Sequence, residues 1–196
     1  MIEAGRLRRL RLAAQRLTPA TAARDAREAA RAVVGIQAQD VRAAGLALRS
    51  RVPGLERSAL GDPGLVRTWT VRGTVHLLDA DDLPWLHALT APRNRRYFDG
   101  LMAKRGSLEA ARGMLPDIVA LLAERPRTRS ELLPALAAGG HPELAPPSVN
   151  VVMAWAAAQG VVLGLPDGRF RAAEPPPAVD EDDALATLAR RYLAGP

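Results

Sequence analysis

The chain has 196 residues, of which 48% are apolar and 24% are charged, and this composition predicts a folded protein rather than a disordered segment. Aromatic residues make up only 4%, so the core must consist mostly of Leu, Val and Ala, which favours packed helices over a sandwich or barrel. The net charge of +6 permits nucleic-acid binding. However, every basic residue except Lys104 is arginine, and this also fits the coding bias of a GC-rich genome.

The sequence shows no pattern typical of secretion, membrane insertion or cofactor binding, which favours the cytoplasm. The sequence has no cysteine for disulfides or thiolate metal sites, and the N-terminal stretch lacks the apolar core of a secretory signal. The uncharged stretch 146–166 is broken by polar residues and glycines, which makes it a poor membrane span. The histidines are too far apart for a metal-binding motif, and no glycine-rich phosphate loop is present. We therefore predict a cytoplasmic protein with no membrane span, no metal and no organic cofactor.

The first half of the chain predicts helices in quick succession. Leucines from Leu7 to Leu17 share one helical face, with the neighbouring arginines mostly off it. Asp25 and Glu28 have the spacing of a capping box that opens a second helix. Asp40 is the predicted cap of a third helix over 41–50.

A hairpin and two linking helices follow. The β-leaning run 65–78 is interrupted at Arg72-Gly73, which predicts two strands around a turn. Two further helices are predicted around 83–89 and 93–105.

The second half repeats this order more clearly. Leu115–Leu122 mark one helical face, and Thr128 and Glu131 form a capping box that opens the next helix. Pro134 inside that helix predicts a kink or an early end. A third helix over 148–159 is followed by strands at 161–163 and 169–171 around a Gly/Pro-rich turn.

Three helices followed by a β-hairpin is the order of a winged helix. The predicted fold class is therefore mainly α with small β-hairpins, arranged as tandem winged helix-turn-helix modules. We place an N-terminal module with linker helices at 1–106, a second module at 107–173, and a linker with the start of a truncated third module at 174–196.

The helix in the usual DNA-recognition position is unusual, because no charged residue occurs between Val149 and Leu165. A helix in the major groove normally offers polar or basic side chains to the bases. We therefore favour packing of this helix, including Trp155, against a neighbouring module over base recognition.

Two short stretches carry the candidate chemistry. In Gly35-Ile-Gln-Ala-Gln-Asp40, alternation in extended backbone would aim the two glutamine side chains the same way, although capping of the loop is the simpler interpretation. In the run 67–76, alternation puts Arg67 and Trp69 on one strand face, either as DNA contacts or with the indole filling the core.

These two stretches, in this order, resemble the AlkZ/YcaQ family of winged-helix DNA glycosylases. The resemblance extends from about Leu7 to the final Leu-Ala-Arg-Arg-Tyr-Leu and includes Leu-Thr-Ala-Pro-Arg93. It implies a concave basic surface that binds double-stranded, alkylated DNA, and an activity that excises N7-alkylated guanines and in some members unhooks interstrand crosslinks. It also implies that Gln37 and Gln39 are the catalytic pair.

The same resemblance implies DNA contacts along the hairpin and the helix that follows it. The residues concerned are Arg67, Trp69, Arg72, His76 and Arg93. Family members continue into a third winged-helix unit after the last helix, where this chain ends. The expected protein is a monomeric DNA-repair glycosylase without a cofactor, and the alternative is a non-catalytic winged-helix DNA-binding or regulatory protein.

Overall fold

The computed structural model describes residues 3–141 and 146–193. Within these residues the chain is mainly helical with a small antiparallel sheet, as the sequence predicts. The helices are α1 (Ala4–Ala14), α2 (Ala26–Ala32), α3 (Val41–Arg49), α4 (Leu83–Lys104), α5 (Leu108–Glu124), α6 (Arg129–Ala138), α7 (Pro146–Ala158) and α8 (Glu181–Leu193). The strands are β1 (Ile36–Gln37), β2 (Leu65–Trp69), β3 (Val75–Asp79), β4 (Val162–Gly164) and β5 (Phe170–Ala172).

Two of the predicted helix caps are confirmed. The Asp40 carboxylate accepts a hydrogen bond from the Ala43 backbone N–H at 2.8 Å and starts α3. Thr128 and Glu131 form the complete reciprocal capping box at the start of α6. In both cases a short polar side chain satisfies a backbone donor that the first helical turn leaves free.

The capping box predicted at Asp25 is only half formed. Asp25 accepts from the Glu28 backbone N–H at 2.7 Å, as predicted. The Glu28 carboxylate, however, accepts from the backbone N–H of Arg24 and from its guanidinium instead of from Asp25. Arg24 therefore binds the Glu28 carboxylate that would otherwise have accepted from the Asp25 backbone N–H.

The prolines interrupt the helices less than their positions predict. The two linking helices are a single helix, α4, that continues through Pro92. Helix α6 continues through Pro134 to Ala138, so it does not end early at this proline. Leu132 and Leu136 flank Pro134 and are 0% and 2% exposed, and burial of these side chains offsets the one backbone hydrogen bond that proline removes.

The two predicted hairpins lie in one five-stranded antiparallel sheet of order β1-β3-β2-β4-β5. β2 and β3 form the first hairpin, β4 and β5 form the second, and β2 pairs with β4 at Arg67 and Gly164. A Cβ atom at Gly164 would lie 2.5 Å from the Arg67 carbonyl oxygen. The close approach that joins the hairpins therefore requires glycine at this position.

Buried side chains form three clusters around this sheet. One lies between the sheet and α2–α3, the second between the sheet and the start of α4 together with α8, and the third among α4–α7. Representative members are Ala30, Leu48 and Leu77 in the first, Val66, Leu86 and Ala184 in the second, and Met114, Leu132 and Phe170 in the third.

Helix α7 is a packing element, as its lack of charge predicts. Its residues from Val152 to Ala158 are all buried. Its one indole donor, Trp155 Nε1, reaches Asp99 of α4 at 2.8 Å. A helix buried on most sides has no free face to insert into a DNA groove, which agrees with the packing role predicted from the sequence.

Helix α8 is attached to the body of the protein by an ion pair. The Arg191 guanidinium donates to the Asp82 carboxylate at 2.7 Å and to the Arg31 carbonyl oxygen at 3.3 Å. The Asp82 carboxylate also accepts from Trp85 Nε1 at 3.1 Å. The predicted segment 174–196 is thus folded onto the first half of the chain as far as Leu193, and residues 194–196 lie outside the described residues.

Candidate active site

The glutamine pair lies at the point where β1 ends and α3 begins. Gly35, at φ 107°, turns the chain out of α2, and a Cβ atom there would lie 2.6 Å from the Leu78 side chain. The chain then alternates as predicted, with Ile36 and Ala38 buried and Gln37 and Gln39 exposed. The strand-like geometry inferred from the sequence is correct for this segment.

The two amides contact each other directly. Gln37 Nε2 donates to Gln39 Oε1 at 2.6 Å. Each amide has further hydrogen-bonding groups that this bond does not use: the second N–H and the carbonyl of Gln37, and the amino group of Gln39. The pair therefore offers donors and an acceptor at one exposed point, and neither side chain needs a shifted pKa to do so.

The backbone between the glutamines is held from two sides. The Ala38 N–H donates to the Val75 carbonyl oxygen of β3 at 2.8 Å. The Ala38 carbonyl oxygen accepts from Arg67 Nε of β2, also at 2.8 Å. Because the backbone N–H and C=O of Ala38 are both satisfied by the central strands, the backbone between the two glutamines is fixed relative to the sheet.

Arg67 therefore has a different position from the one that the sequence predicts. A DNA contact needs an exposed guanidinium, but the Arg67 side chain is buried, with 4% of the residue exposed, and donates inward to Ala38. Burial lowers its pKa below the ordinary arginine value. In this structure Arg67 supports the glutamine segment instead of facing DNA.

His76 lies beside Gln37 in the sheet. The two residues are directly opposite in the antiparallel pairing of β1 and β3, so their side chains share one face. The imidazole Nδ1 is 2.9 Å from Thr70 Oγ1 and 3.2 Å from the Thr74 carbonyl oxygen. Burial lowers the pKa of His76 below its usual value, and the cation of Arg72 acts in the same direction.

The remaining predicted contacts are distributed around the hairpin. Arg72 is exposed in the turn, with a left-handed φ of 58°, and Arg93 is exposed on α4. Trp69 is half-buried and stacks on Phe170, with ring centroids 6.1 Å apart, so its indole contributes to the core, which was the alternative interpretation. Of the predicted site residues, the structure brings Gln37, Gln39 and His76 together, with Arg67 beneath them.

Two supporting residues have no signal in the sequence. Asn94 of α4 is buried, and its side-chain amide donates to the Thr70 carbonyl oxygen at 2.9 Å, which fixes the hairpin end against α4. Thr70 is itself 2% exposed and contacts the His76 imidazole. Both are common residue types whose role depends on which segments the fold brings together.

Over residues 3–141 and 146–193, no group of three or more His, Cys, Asp or Glu side chains has an arrangement that could hold a metal ion. In the same part of the chain, none of the helices has both the length and the apolar character needed to cross a bilayer.

A match to a family model defines the class to which the protein belongs. Residues 30–195 match the family model described as "DNA glycosylase AlkZ-like", and the chain therefore belongs to the AlkZ-like DNA glycosylase family. This result confirms the resemblance inferred from the sequence.

A solved structure shows the same fold. It is that of Streptomyces sahachiroi DNA glycosylase AlkZ, with a TM-score of 0.72 and 22% identity. The match covers 94% of this chain and 54% of the Streptomyces protein, so the chain spans about half the length of that relative. Among curated proteins, none matches the sequence.

Proposed function

We propose that this chain is a monofunctional DNA glycosylase of the repair type that hydrolyses the N-glycosidic bond of N7-alkylated purines in double-stranded DNA, including those in interstrand crosslinks. The observation that carries the proposal is the direct contact between Gln37 Nε2 and Gln39 Oε1 on an exposed edge of the sheet. The chain's family membership supports a glycosylase, and the chemistry of the amides supports this particular substrate class.

The substrate chemistry matches a pair of neutral amides. A purine alkylated at N7 carries a positive charge and leaves as a neutral base, so it does not need protonation by a strong acid. The reaction needs a water positioned at the sugar C1′ and polar groups that tolerate an oxocarbenium-like transition state. The free donor and acceptor groups of Gln37 and Gln39 are suited to hold that water.

The exposure of the pair fits a bulky substrate. Enzymes that flip a base usually enclose it in a tight pocket. Gln37 and Gln39 are both exposed, and the surrounding chain is basic, with a net charge of +6. A large adduct in a duplex can therefore approach the pair from outside, while nearby arginines such as Arg72 and Arg93 neutralise phosphates.

The proposal includes the finer features inferred from the sequence. We propose that the two helix-and-hairpin halves act as tandem winged-helix modules, that the functional form is a monomer, and that it works on DNA in the cytoplasm. The exposed Arg72 turn of the first hairpin is the proposed element that contacts a DNA groove.

The test uses a duplex that contains one N7-methylguanine, with the formation of abasic sites followed by alkaline strand cleavage. Wild-type protein is expected to release the base, and Gln37→Ala and Gln39→Ala are each expected to lower the single-turnover rate by about 10²-fold, the scale for removing one transition-state contact. Gln15→Ala replaces an exposed glutamine elsewhere in the chain and is the matched control.

A duplex with an N7-linked guanine crosslink tests the second substrate in the same assay. Unhooking is expected to depend on the same two glutamines. If the wild-type protein binds these duplexes but releases no base, the protein is a non-catalytic DNA-binding protein and the proposal is wrong.

A further inference from the structure

The proposed hydrolysis releases a proton that the glutamine pair cannot accept. Water oxygen bonds to C1′, the bond from C1′ to the purine nitrogen breaks, and its electron pair neutralises the cationic base. The products are a neutral alkylated purine, an abasic sugar and one proton. Side-chain amides are hydrogen-bonding groups that do not take up a proton near neutral pH, so either another side chain or solvent accepts it.

His76 has the position and the hydrogen bonds of a proton acceptor. It lies directly opposite Gln37 in the pairing of β1 and β3, on the same face. Neighbouring Cβ atoms in such a pair are about 4.5–5.5 Å apart, so the imidazole and the Gln37 amide reach the same water.

The contacts of His76 favour one tautomer. The Thr74 carbonyl oxygen, 3.2 Å from Nδ1, only accepts hydrogen bonds, so we assign the ring proton to Nδ1. With the proton there, Thr70 Oγ1, 2.9 Å away, is a second acceptor for the same N–H. In the neutral ring the lone pair is then on Nε2, the nitrogen that these two contacts leave unused.

Asp40 is the other titratable group next to the pair, and it is less suited to the role. Its carboxylate accepts from the Ala43 backbone N–H at the start of α3. Backbone hydrogen bonds from Ala43 and Arg42 lower the pKa of Asp40, which makes it a weaker base. Its hydrogen bonding is therefore committed to the helix cap.

We propose that Nε2 of His76 accepts the proton of the attacking water and passes it to solvent, which makes His76 a catalytic residue alongside Gln37 and Gln39. This inference rests on the proposed glycosylase function. In each turnover the proton moves from water to Nε2 as the oxygen bonds to C1′, and Nδ1 keeps its own proton and its bonds to the hairpin throughout.

The surroundings of His76 keep the ring neutral and therefore able to accept. Its neighbours across the sheet, Gln37 on β1 and Thr68 on β2, are uncharged, and α4 places the amide of Asn94 against Thr70. The charged group that acts on it is Arg72, whose cation, together with burial, lowers the pKa of His76.

The first experiment is chemical rescue. His76→Ala is expected to lower the single-turnover rate on the N7-methylguanine duplex by about 10²-fold, the lower end for general base catalysis, because an exposed site also gives solvent access to the proton. Added imidazole is expected to restore at least a tenth of the wild-type rate. A loss of structure cannot be rescued in this way. His141→Asn is the control and is expected to leave the rate unchanged.

The second experiment is the pH dependence of the same rate, corrected for spontaneous base loss. The wild-type rate is expected to be constant near neutral pH and to fall as His76 becomes protonated, at a pH below the ordinary histidine pKa of about 6.5. His76→Asn, which keeps a polar group near the two threonines, is expected to be slow with no such fall. ¹⁵N NMR of the free protein is expected to show the proton on Nδ1.

The outcomes separate the two proposals. A His76→Asn variant with the wild-type rate and pH profile, or a ring protonated on Nε2, would overturn the role of His76 and leave the glycosylase proposal intact. Failure of the wild-type protein to release any base would overturn both.

Discussion

Arg67 Nε donates a 2.8 Å hydrogen bond to the carbonyl oxygen of Ala38, the residue between the two candidate catalytic glutamines. Both groups are buried, with Arg67 4% and Ala38 0% exposed. The guanidinium thus acts from the centre of the sheet on the edge segment that carries the exposed amides. This contact connects the stability of the sheet to the geometry of the site.

We expect Arg67→Met to loosen the glutamine segment. The variant keeps a long apolar side chain but removes the donor, and leaving a buried carbonyl unpaired costs about 1–3 kcal/mol. The free energy of unfolding from urea titration measures this loss, and faster amide exchange at Ala38 and Gln39 locates it. Arg93→Met, at an exposed helix position, is the control and is expected to change stability by less than about 0.5 kcal/mol. Unchanged exchange at Ala38 would contradict the prediction.

Gly164→Ala is expected to separate the two hairpins. The added Cβ would lie 2.5 Å from the Arg67 carbonyl oxygen, and this backbone atom cannot move without breaking the pairing of β2 and β4. Overpacking of this kind costs about 1–3 kcal/mol, which a shift of the urea midpoint measures.

The matched control is Gly113→Ala in the exposed part of α5, where a Cβ meets no atom within 4 Å. Alanine in a helix is favoured over glycine by about 0.5–1 kcal/mol, so this variant is expected to be slightly more stable than wild type. Equal urea midpoints for Gly164→Ala and Gly113→Ala would show that the contact between β2 and β4 does not require glycine at position 164.

Asp79 is expected to make the free energy of unfolding depend on pH. It is 0% exposed and accepts hydrogen bonds from Arg27 at 2.9 Å and Arg31 at 2.7 Å. Burial acts to raise the pKa of Asp79, but the hydrogen bonds from Arg27, from the Asp81 backbone N–H and from Arg31 together outweigh it and keep the pKa below the ordinary value.

Because the folded pKa lies below the unfolded value of about 3.9, the ionised carboxylate stabilises the fold above that pH. The stabilisation is lost as the pH falls through the folded pKa. Asp79→Asn is expected to cost about 3 kcal/mol at pH 7, the lower end for breaking a buried pair, since both arginines are partly exposed. The variant should also lose less stability than wild type between pH 5 and about pH 2 in acid titrations followed by circular dichroism. If wild type and Asp79→Asn lose the same stability as the pH falls, Asp79 is not the group that makes stability depend on pH.

Arg191→Met is expected to release α8 from the body of the protein. Arg191 is about a third exposed, and its partner Asp82 is almost fully buried. Loss of this charged hydrogen bond should increase hydrogen exchange in α8 by about tenfold, which corresponds to about 1.4 kcal/mol. Arg190→Met is the neighbouring control, since the Arg190 guanidinium is exposed and donates to Thr187 within the same helix. Equal exchange in the two variants would mean that apolar packing alone holds the helix.

The sequence by itself determined the local elements and the family. The caps at Asp40 and Thr128 and the two hairpins could be predicted because they depend on residue spacings within a few positions. The same holds for the outward alternation of Gln37 and Gln39, which follows from the two-residue period of extended backbone. The uncharged α7 was correctly predicted to be a packing helix, since an apolar surface must be covered.

Only the tertiary structure decided how these elements meet. The pairing of β2 with β4, the inward hydrogen bond of Arg67 and the position of His76 opposite Gln37 all join segments far apart in the chain. Sequence periodicity identifies which face of an element is buried, but it does not specify the partner that buries it or the register of a strand pair. For this reason the glutamines could be predicted as a candidate site, while the inward hydrogen bond of Arg67 and the position of His76 opposite Gln37 follow from the three-dimensional packing.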